Sequence, residues 1–358
     1  MTNADLTDKA VGVRQGEELD TQKVGEYLRD TIPGLSGEMS VEQFPSGYSN
    51  LTYLIKVGNT DLVLRRPPFG RKAKTAHDMG REYRILSALN PVFPYCPKPL
   101  VYTEDESVMG CPFYVMERIN GIILRKNLPK GLTLTPEQMR SLCENLLDVH
   151  YKLHSIDYRA IGLEGFGKPE GYVKRQVDGW SERYRAARTP DAPDFENVMQ
   201  WLAEKMPPDS KKPGIIHNDY KFDNVVLNPE NPLEIIGVLD WEMATIGDPL
   251  MDLGSSLGYW VQNDDPEDFQ AARMLPTTLP GALTRDELVK RYEKLAGIKI
   301  ENFDFYLCFG LFRLAVIAQQ IYYRFYHGQT KDERFKILIF AIHILEKAAL
   351  RAIDQSGL

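Results

Sequence analysis

The sequence predicts an α+β fold in two lobes, a small β-rich one followed by a larger, mostly helical one. Three observations lead there. Strand-like runs separated by turn residues crowd the first third of the chain. Helical periodicity dominates after residue 121. The 358 residues suffice for one large domain or two lobes, and 43% hydrophobic with 26% charged residues is an ordinary globular mixture.

Residues 1–17 are polar and lack apolar periodicity, so they read as a disordered or loosely attached N-terminus. Leu19, Val24, Tyr27 and Leu28 then mark a short amphipathic helix ending near Pro33 and Gly34. Runs at 39–44, 51–57 and 61–65 read as strands, with turn chemistry at 45–50 and 58–60 between them. Residues 77–89 read as a helix with Tyr83, Leu86 and Leu89 on one face. Strands at 99–102 and 113–116 complete a small antiparallel sheet with one main helix. This divides the chain into an N-lobe over 18–116, a hinge over 117–121 and a C-lobe over 122–358. Within the C-lobe, residues 136–154 form the clearest helix.

Composition excludes several classes. The formal net charge of -7 and pI near 5.5 argue against an extended nucleic-acid surface. Residues 303–326 are apolar, but Asp304, Arg313, Gln319, Gln320 and Arg324 disfavour a bilayer, so the segment reads as a buried helix with no membrane partner. The polar start lacks the apolar core of a secretory signal, and four scattered cysteines read as reduced thiols of a cytoplasmic protein. His150 and His154 have zinc-site spacing, yet Tyr151 stands where a zinc protease needs Glu, so packing is the better reading.

The chemistry concentrates in His217-Asn-Asp-Tyr-Lys-Phe-Asp-Asn224, followed by an apolar run ending at Asp240. Phosphoryl transfer to a hydroxyl needs a carboxylate for the hydroxyl proton and hard oxygen ligands for magnesium. The spacing matches a kinase catalytic loop and its metal-binding aspartate. Asp219 would act on the acceptor hydroxyl. Lys221 either neutralises charge on the transferred group or lies solvated at the surface. Glu242, two residues beyond Asp240, would point the same way in an extended segment, assisting metal binding or capping a turn.

Together with Gly47-Tyr-Ser-Asn-Leu-Thr52, Val63-Leu-Arg-Arg-Pro-Pro68, Arg81-Glu-Tyr-Arg-Ile-Leu86 and Val238-Leu-Asp-Trp-Glu-Met-Ala-Thr-Ile-Gly-Asp-Pro249, the motif resembles the aminoglycoside phosphotransferase family. The nearest branch comprises kinase domains associated with acyl-CoA dehydrogenases 10 and 11 and bacterial levulinate-pathway kinases. The resemblance spans about residues 20–350 and implies a bilobal protein-kinase-like fold using ATP and Mg2+. It implies that Asn224 and Asp240 hold the metal and that His217 and Asp252 support the loop. Ser46, Gly47, Tyr48, Ser49 and Asn50 would cover the nucleotide phosphates. Arg65 would meet them where kinases usually present lysine, paired with Glu82, and the backbone from Glu117 to Ile119 would meet adenine. Arg is not a neutral exchange for Lys there.

Only 11 residues separate Asp240 from Asp252, too few for a peptide platform, which favours a small-molecule hydroxyl acceptor. Lys174, Arg175, Arg183, Arg185 and Arg188 crowd one predicted helix with Trp180 and Tyr184. They read either as a site for a CoA ester's phosphates or as a solvated face, and the two aromatics as pocket lining or packing. The resemblance points to a 4-hydroxyacyl-CoA acceptor. The alternatives are an aminoglycoside or other small-alcohol kinase, and a nucleotide-binding pseudokinase partner of an acyl-CoA dehydrogenase.

Overall fold

A computed structural model describes residues 6–45, 50–68 and 78–358. The expected phosphate loop at Ser46, Gly47, Tyr48 and Ser49 and the expected helix start at residue 77 lie outside the described residues. In chain order the elements run α1 (Thr21–Thr31), β1 (Met39–Gln43), β2 (Leu51–Val57), β3 (Thr60–Arg66), α2 (Met79–Leu89), β4 (Pro99–Thr103), α3 (Glu106–Met109) and β5 (Phe113–Glu117). There follow α4 (Pro136–His154), α5 (Tyr172–Ala187), α6 (Glu196–Glu204), β6 (Gly214–Ile216), β7 (Val225–Leu227), β8 (Ile235–Val238) and β9 (Thr245–Gly247). The chain closes with α7 (Pro249–Gly258), α8 (Glu267–Ala271), α9 (Arg285–Ala296), α10 (Phe303–Tyr326) and α11 (Leu338–Gln355).

Two compact units emerge. The first holds Met1–Ile123, Ile161–Leu163 and Asn224–Ala244; the second holds Leu124–Ala160, Glu164–Asp223 and Thr245–Leu358. The boundary near residue 123 lies close to the expected hinge, but residues 224–244 group with the first unit. The cause is local pairing: β7 and β8 form a hairpin, and Ile122 bridges to Leu227.

In the first unit a five-stranded antiparallel sheet runs β1-β2-β3-β5-β4. Alternation along β2 and β3 turns Tyr53, Ile55, Leu62 and Leu64 into a core shared with Val24 and Leu28 of α1. Val63 and Arg65 therefore point to the opposite face, where Glu82 of α2 reaches Arg65. Asp78 caps α2 by accepting the Arg81 N–H. The polar N-terminal stretch is better attached than its composition suggests. Val11 and Gln43 exchange both backbone hydrogen bonds at 2.8 Å, and the Tyr53 hydroxyl donates to the Glu17 carbonyl.

The second unit is helical, with β6 and β9 as a short antiparallel ladder. Thr135 and Gln138 form a reciprocal capping box at α4, with Pro136 in its first turn. Although α10 is long and apolar enough to cross a membrane, 72% of its most apolar window is buried inside the protein. It crosses α7 where both helices carry glycine. A Cβ on Gly310 would stand 2.0 Å from the Gly254 carbonyl oxygen, and one on Gly254 would stand 2.2 Å from that of Tyr306.

Candidate active site

The loop after β6 is held from below by one carboxylate. Asp252, fully buried in the first turn of α7, accepts the His217 N–H through Oδ2 and the Asn218 N–H through Oδ1, both at 2.7 Å. Asn218 takes a left-handed conformation, φ 64°, which turns the chain sharply before Asp219. From α4, His150 Nε2 and His154 Nε2 lie 3.0 and 3.1 Å from Asp252 Oδ2, and His154 Nδ1 lies 2.8 Å from the Tyr292 hydroxyl. Burial and the neighbouring His154 push His150 down to about 4. Burial would raise Asp252, but the two imidazoles and their hydrogen bonds outweigh it and hold the carboxyl well below its ordinary value. The trio is close enough to hold a metal, its donor atoms within 4.8 Å. Its carboxylate oxygens are already engaged by two backbone N–H groups and two ring nitrogens, which makes it a brace for the loop.

On that loop, His217 Nδ1 accepts the Asp219 N–H at 3.2 Å. Lys221 Nζ lies 2.6 Å from Asp219 Oδ2 and 3.3 Å from Asp223 Oδ1, over the Tyr259 ring at 5.3 Å from its centroid. Its side chain is 11% exposed, so the solvated-lysine reading is set aside. Burial works against its charge, but Asp219, Tyr259 and Asp223 reverse the effect and hold it well above the ordinary lysine value. Asp223 itself is raised, by burial.

The second set of groups lies in the first unit. A 3₁₀ turn, Phe222–Asn224, carries the chain into β7. Val225 pairs with Val238, and the Leu239 N–H donates to the Asn224 carbonyl at 2.8 Å. The hairpin thus brings Asn224 and Asp240 to the same end. Asp240 is held left-handed at φ 65°, ψ 63°, a conformation costing a non-glycine residue about 1 kcal/mol or more. Asn224 and Asp240 offer hard oxygen donors from a rigid ladder, a donor set suited to Mg2+.

Arg65 reaches this end from β3. Its Nη1 donates to Glu82 Oε1 at 2.5 Å, and its Nη2 to Asp240 Oδ1 at 3.0 Å and Glu242 Oε2 at 3.4 Å. Burial would lower the arginine, but Glu82, Tyr114, Asp240 and Glu242 outweigh it and hold it well above its ordinary value. Burial raises Glu82 against the pull of Arg65. Asn50, the described end of the expected phosphate loop, donates Nδ2 to Glu242 Oε2 at 2.8 Å. The extended geometry expected for Asp240 to Glu242 does not form, since a 3₁₀ turn begins at Trp241. Both carboxylates still meet Arg65.

The Glu117 backbone N–H donates to the Lys98 carbonyl at 2.9 Å and its side chain pairs with Lys98 at 3.3 Å. Ile119 packs over Gly237 of β8, where a Cβ would stand 2.9 Å from its methyl carbons. The basic residues of α5 are mostly engaged. Lys174 pairs with Asp178, Arg185 with Glu196, and Arg175 donates to the carbonyls of Glu170 and Lys168. Tyr184 is corrected to a packing residue: it is fully buried against Phe195 and Phe312, with its hydroxyl on the Pro193 carbonyl. Trp180 is covered by two guanidinium groups, Arg183 at 4.7 Å and the buried Arg313 at 5.1 Å.

From sequence, Asp223, Tyr259 and Tyr114 carried no assigned role, and Arg313 counted only as a charge unsuited to a bilayer. Asp223 stands inside the motif, and its spacing to Lys221 was the available signal. Tyr259, Tyr114 and Arg313 reach their neighbours only through tertiary packing.

Fold and chemistry define a phosphotransferase with a kinase-like architecture. A family model described as phosphotransferase enzyme family matches residues 40–280, and the chain belongs to that family. It is 36% identical to mouse (Mus musculus) acyl-CoA dehydrogenase family member 10 over 323 residues, covering 89% of this chain and 30% of that protein. The chain therefore spans less than a third of that relative's length. A solved structure from Ralstonia eutropha JMP134, assigned as an aminoglycoside phosphotransferase, is 29% identical with TM-score 0.80, covering 95% of this chain and 100% of the other. A thermostable aminoglycoside phosphotransferase mutant in ternary complex with AMP-PNP and hygromycin B has TM-score 0.57 at 15% identity, covering 91% of this chain and 97% of that one. That last likeness shows the fold alone.

Proposed function

We propose that this chain transfers the γ-phosphoryl group of Mg-ATP to the hydroxyl of a small metabolite, with a 4-hydroxyacyl-CoA as acceptor. The observation that supports the reading is the β7–β8 hairpin, which brings Asn224 and Asp240 to the same end of the ladder. The turn Phe222–Asn224 joins them along the chain to Asp219 and Lys221. Asp219 takes the acceptor hydroxyl's proton as the new oxygen–phosphorus bond forms and the bond from the γ-phosphorus to the β–γ bridging oxygen breaks. Lys221 supplies positive charge beside Asp219 for the transferred group. Asn224 and Asp240 would hold magnesium, which when bound would neutralise charge on the phosphates.

The AMP-PNP complex of the distant fold neighbour supports nucleotide use. Support for the acyl acceptor comes from the mouse relative, named an acyl-CoA dehydrogenase. The same likeness favours a functional partnership with such a dehydrogenase. Incubation with Mg-ATP and a panel of hydroxyacyl-CoA esters should give phosphorylated product, lost in Asp219→Ala. Transfer to kanamycin and to no acyl ester would replace the acceptor. Nucleotide binding without turnover on any acceptor would favour the pseudokinase reading.

A further inference from the structure

Arg65 spreads one guanidinium over three carboxylates when a simpler pairing was open to it. A bidentate fork onto Glu82 would engage both Glu82 oxygens and the Arg65 Nε. Instead Arg65 gives Glu82 one bond, from Nη1, while Nη2 turns to Asp240 and Glu242. Tyr114 and the Trp241 backbone also hydrogen-bond Glu82, while the buried Arg65 Nε has no hydrogen-bond partner among the described residues. Tyr114 pairs with Arg65 across β3 and β5, so its hydroxyl belongs to the same cluster. An unpaired buried donor is costly, and the contacts of Nη2 to Asp240 and Glu242 offset it. The side chain of Arg65 is 8% exposed and that of Glu82 2%, so water does not relieve the cost.

We propose that Arg65 is the resident counter-ion of Asp240 and Glu242, a positioning residue that holds Asp240 in its left-handed bend and sets how weakly the site takes a divalent cation. This rests on Asn224 and Asp240 being the metal ligands. One guanidinium against Glu82, Asp240 and Glu242 leaves a net charge of +1 - 3 = -2, which one divalent ion balances. The guanidinium therefore competes with the ion for Asp240. Repulsion between a cation and a divalent ion a few ångströms apart exceeds the freedom one carboxylate gains on release. A lysine would bring one compact ammonium and no planar fork to spread over three carboxylates, so arginine is not a neutral exchange here.

Binding of Mn2+, followed by electron paramagnetic resonance with and without AMP-PNP, tests this. Arg65→Met should bind Mn2+ at least tenfold more tightly than wild type. Arg65→Met combined with Glu82→Gln, which removes the stranded acid, should do the same if the single variant fails to fold. Damage to the fold would weaken binding, so tightening separates the two explanations. Mn2+ affinity unchanged within twofold, or weaker, in a folded variant overturns the counter-ion role. Wild type that takes up no Mn2+ overturns the metal-ligand reading itself and the inference with it.

Discussion

Asp252 Oδ2 accepts the His217 N–H at 2.7 Å, fixing the start of α7 to the first residue of the loop that carries Asp219 and Lys221. The neighbouring Asn218 N–H bonds the other carboxylate oxygen. One fully buried group thus satisfies two backbone donors of the turn. The loop's shape is consequently a property of α4 and α7 as much as of its own residues.

Asp252→Asn tests that dependence. The amide keeps the volume but turns one acceptor into a donor facing an N–H or a ring nitrogen. Unfolding in urea should show a loss of about 3 kcal/mol, as for breaking a buried charged network. A loss below about 1 kcal/mol would show that the loop holds itself.

Stability against pH should be flatter than His150 alone would make it. His150 has a folded value of about 4 against 6.5 unfolded, so the unfolded chain binds the proton first as pH falls through that window, and stability falls. Asp248 has the opposite sign. Burial raises it from 3.8 to about 6, so the folded chain binds the proton first and stability is gained as pH falls from 6. The two windows nearly coincide. Asp248→Asn retains the α7 cap but removes the gain, so its stability should drop between pH 6 and 4 by up to about 3 kcal/mol. An Asp248→Asn variant whose urea midpoint keeps the wild-type pH profile would contradict the assignment. Below 3.8 the depressed Asp252 adds a further acid loss in both proteins.

Much of the fold could be read directly because its signals are local. The Thr135–Gln138 capping box and Pro136 give α4 its start, and α4 ends at His154 as periodicity indicates. The five sheet strands fall within a residue or two of their alternating runs. The candidate loop bearing Asp219 and Lys221 could be picked out for the same reason, its groups lying within eight consecutive residues. What stayed hidden depends on distant pairing. Nothing local says that Val11 bridges Gln43, or that residues 224–244 group with the sheet. The turn at Trp241 broke the extended geometry expected for Glu242, because the left-handed Asp240 ends the strand direction. Arg175 and Tyr184 looked available on α5, but their partners lie in loops whose course the helix does not encode.

The crossing of α7 and α10 gives a third prediction. Alanine favours a helix over glycine by about 1 kcal/mol, so Gly310→Ala would stabilise an isolated α10. In the folded protein the new methyl group would stand 2.0 Å from the Gly254 carbonyl oxygen, and backbone cannot rotate away as a side chain can. Overpacking should win, with a net loss of about 1–3 kcal/mol and a lower thermal midpoint. An unchanged or raised midpoint would mean that the helices separate without cost.

Lys221 supplies the last test. It is the cation shared by Asp219 and Asp223, and its ammonium rests on the Tyr259 ring. Lys221→Met keeps the apolar stem but leaves both carboxylates without that charge, in surroundings where burial already raises Asp223. Removing a preorganised charge from a phosphoryl-transfer site lowers turnover by roughly a hundredfold or more. The kcat of Lys221→Met should fall by that order, while nucleotide affinity, measured by calorimetry, changes little. Nucleotide contacts are expected instead from Arg65, Asn50 and the backbone of Glu117 to Ile119, with Asn224 and Asp240 as the proposed metal ligands. A variant that loses nucleotide binding in proportion to kcat would make Lys221 a ground-state ligand, and one with unchanged kcat would leave Asp219 acting alone.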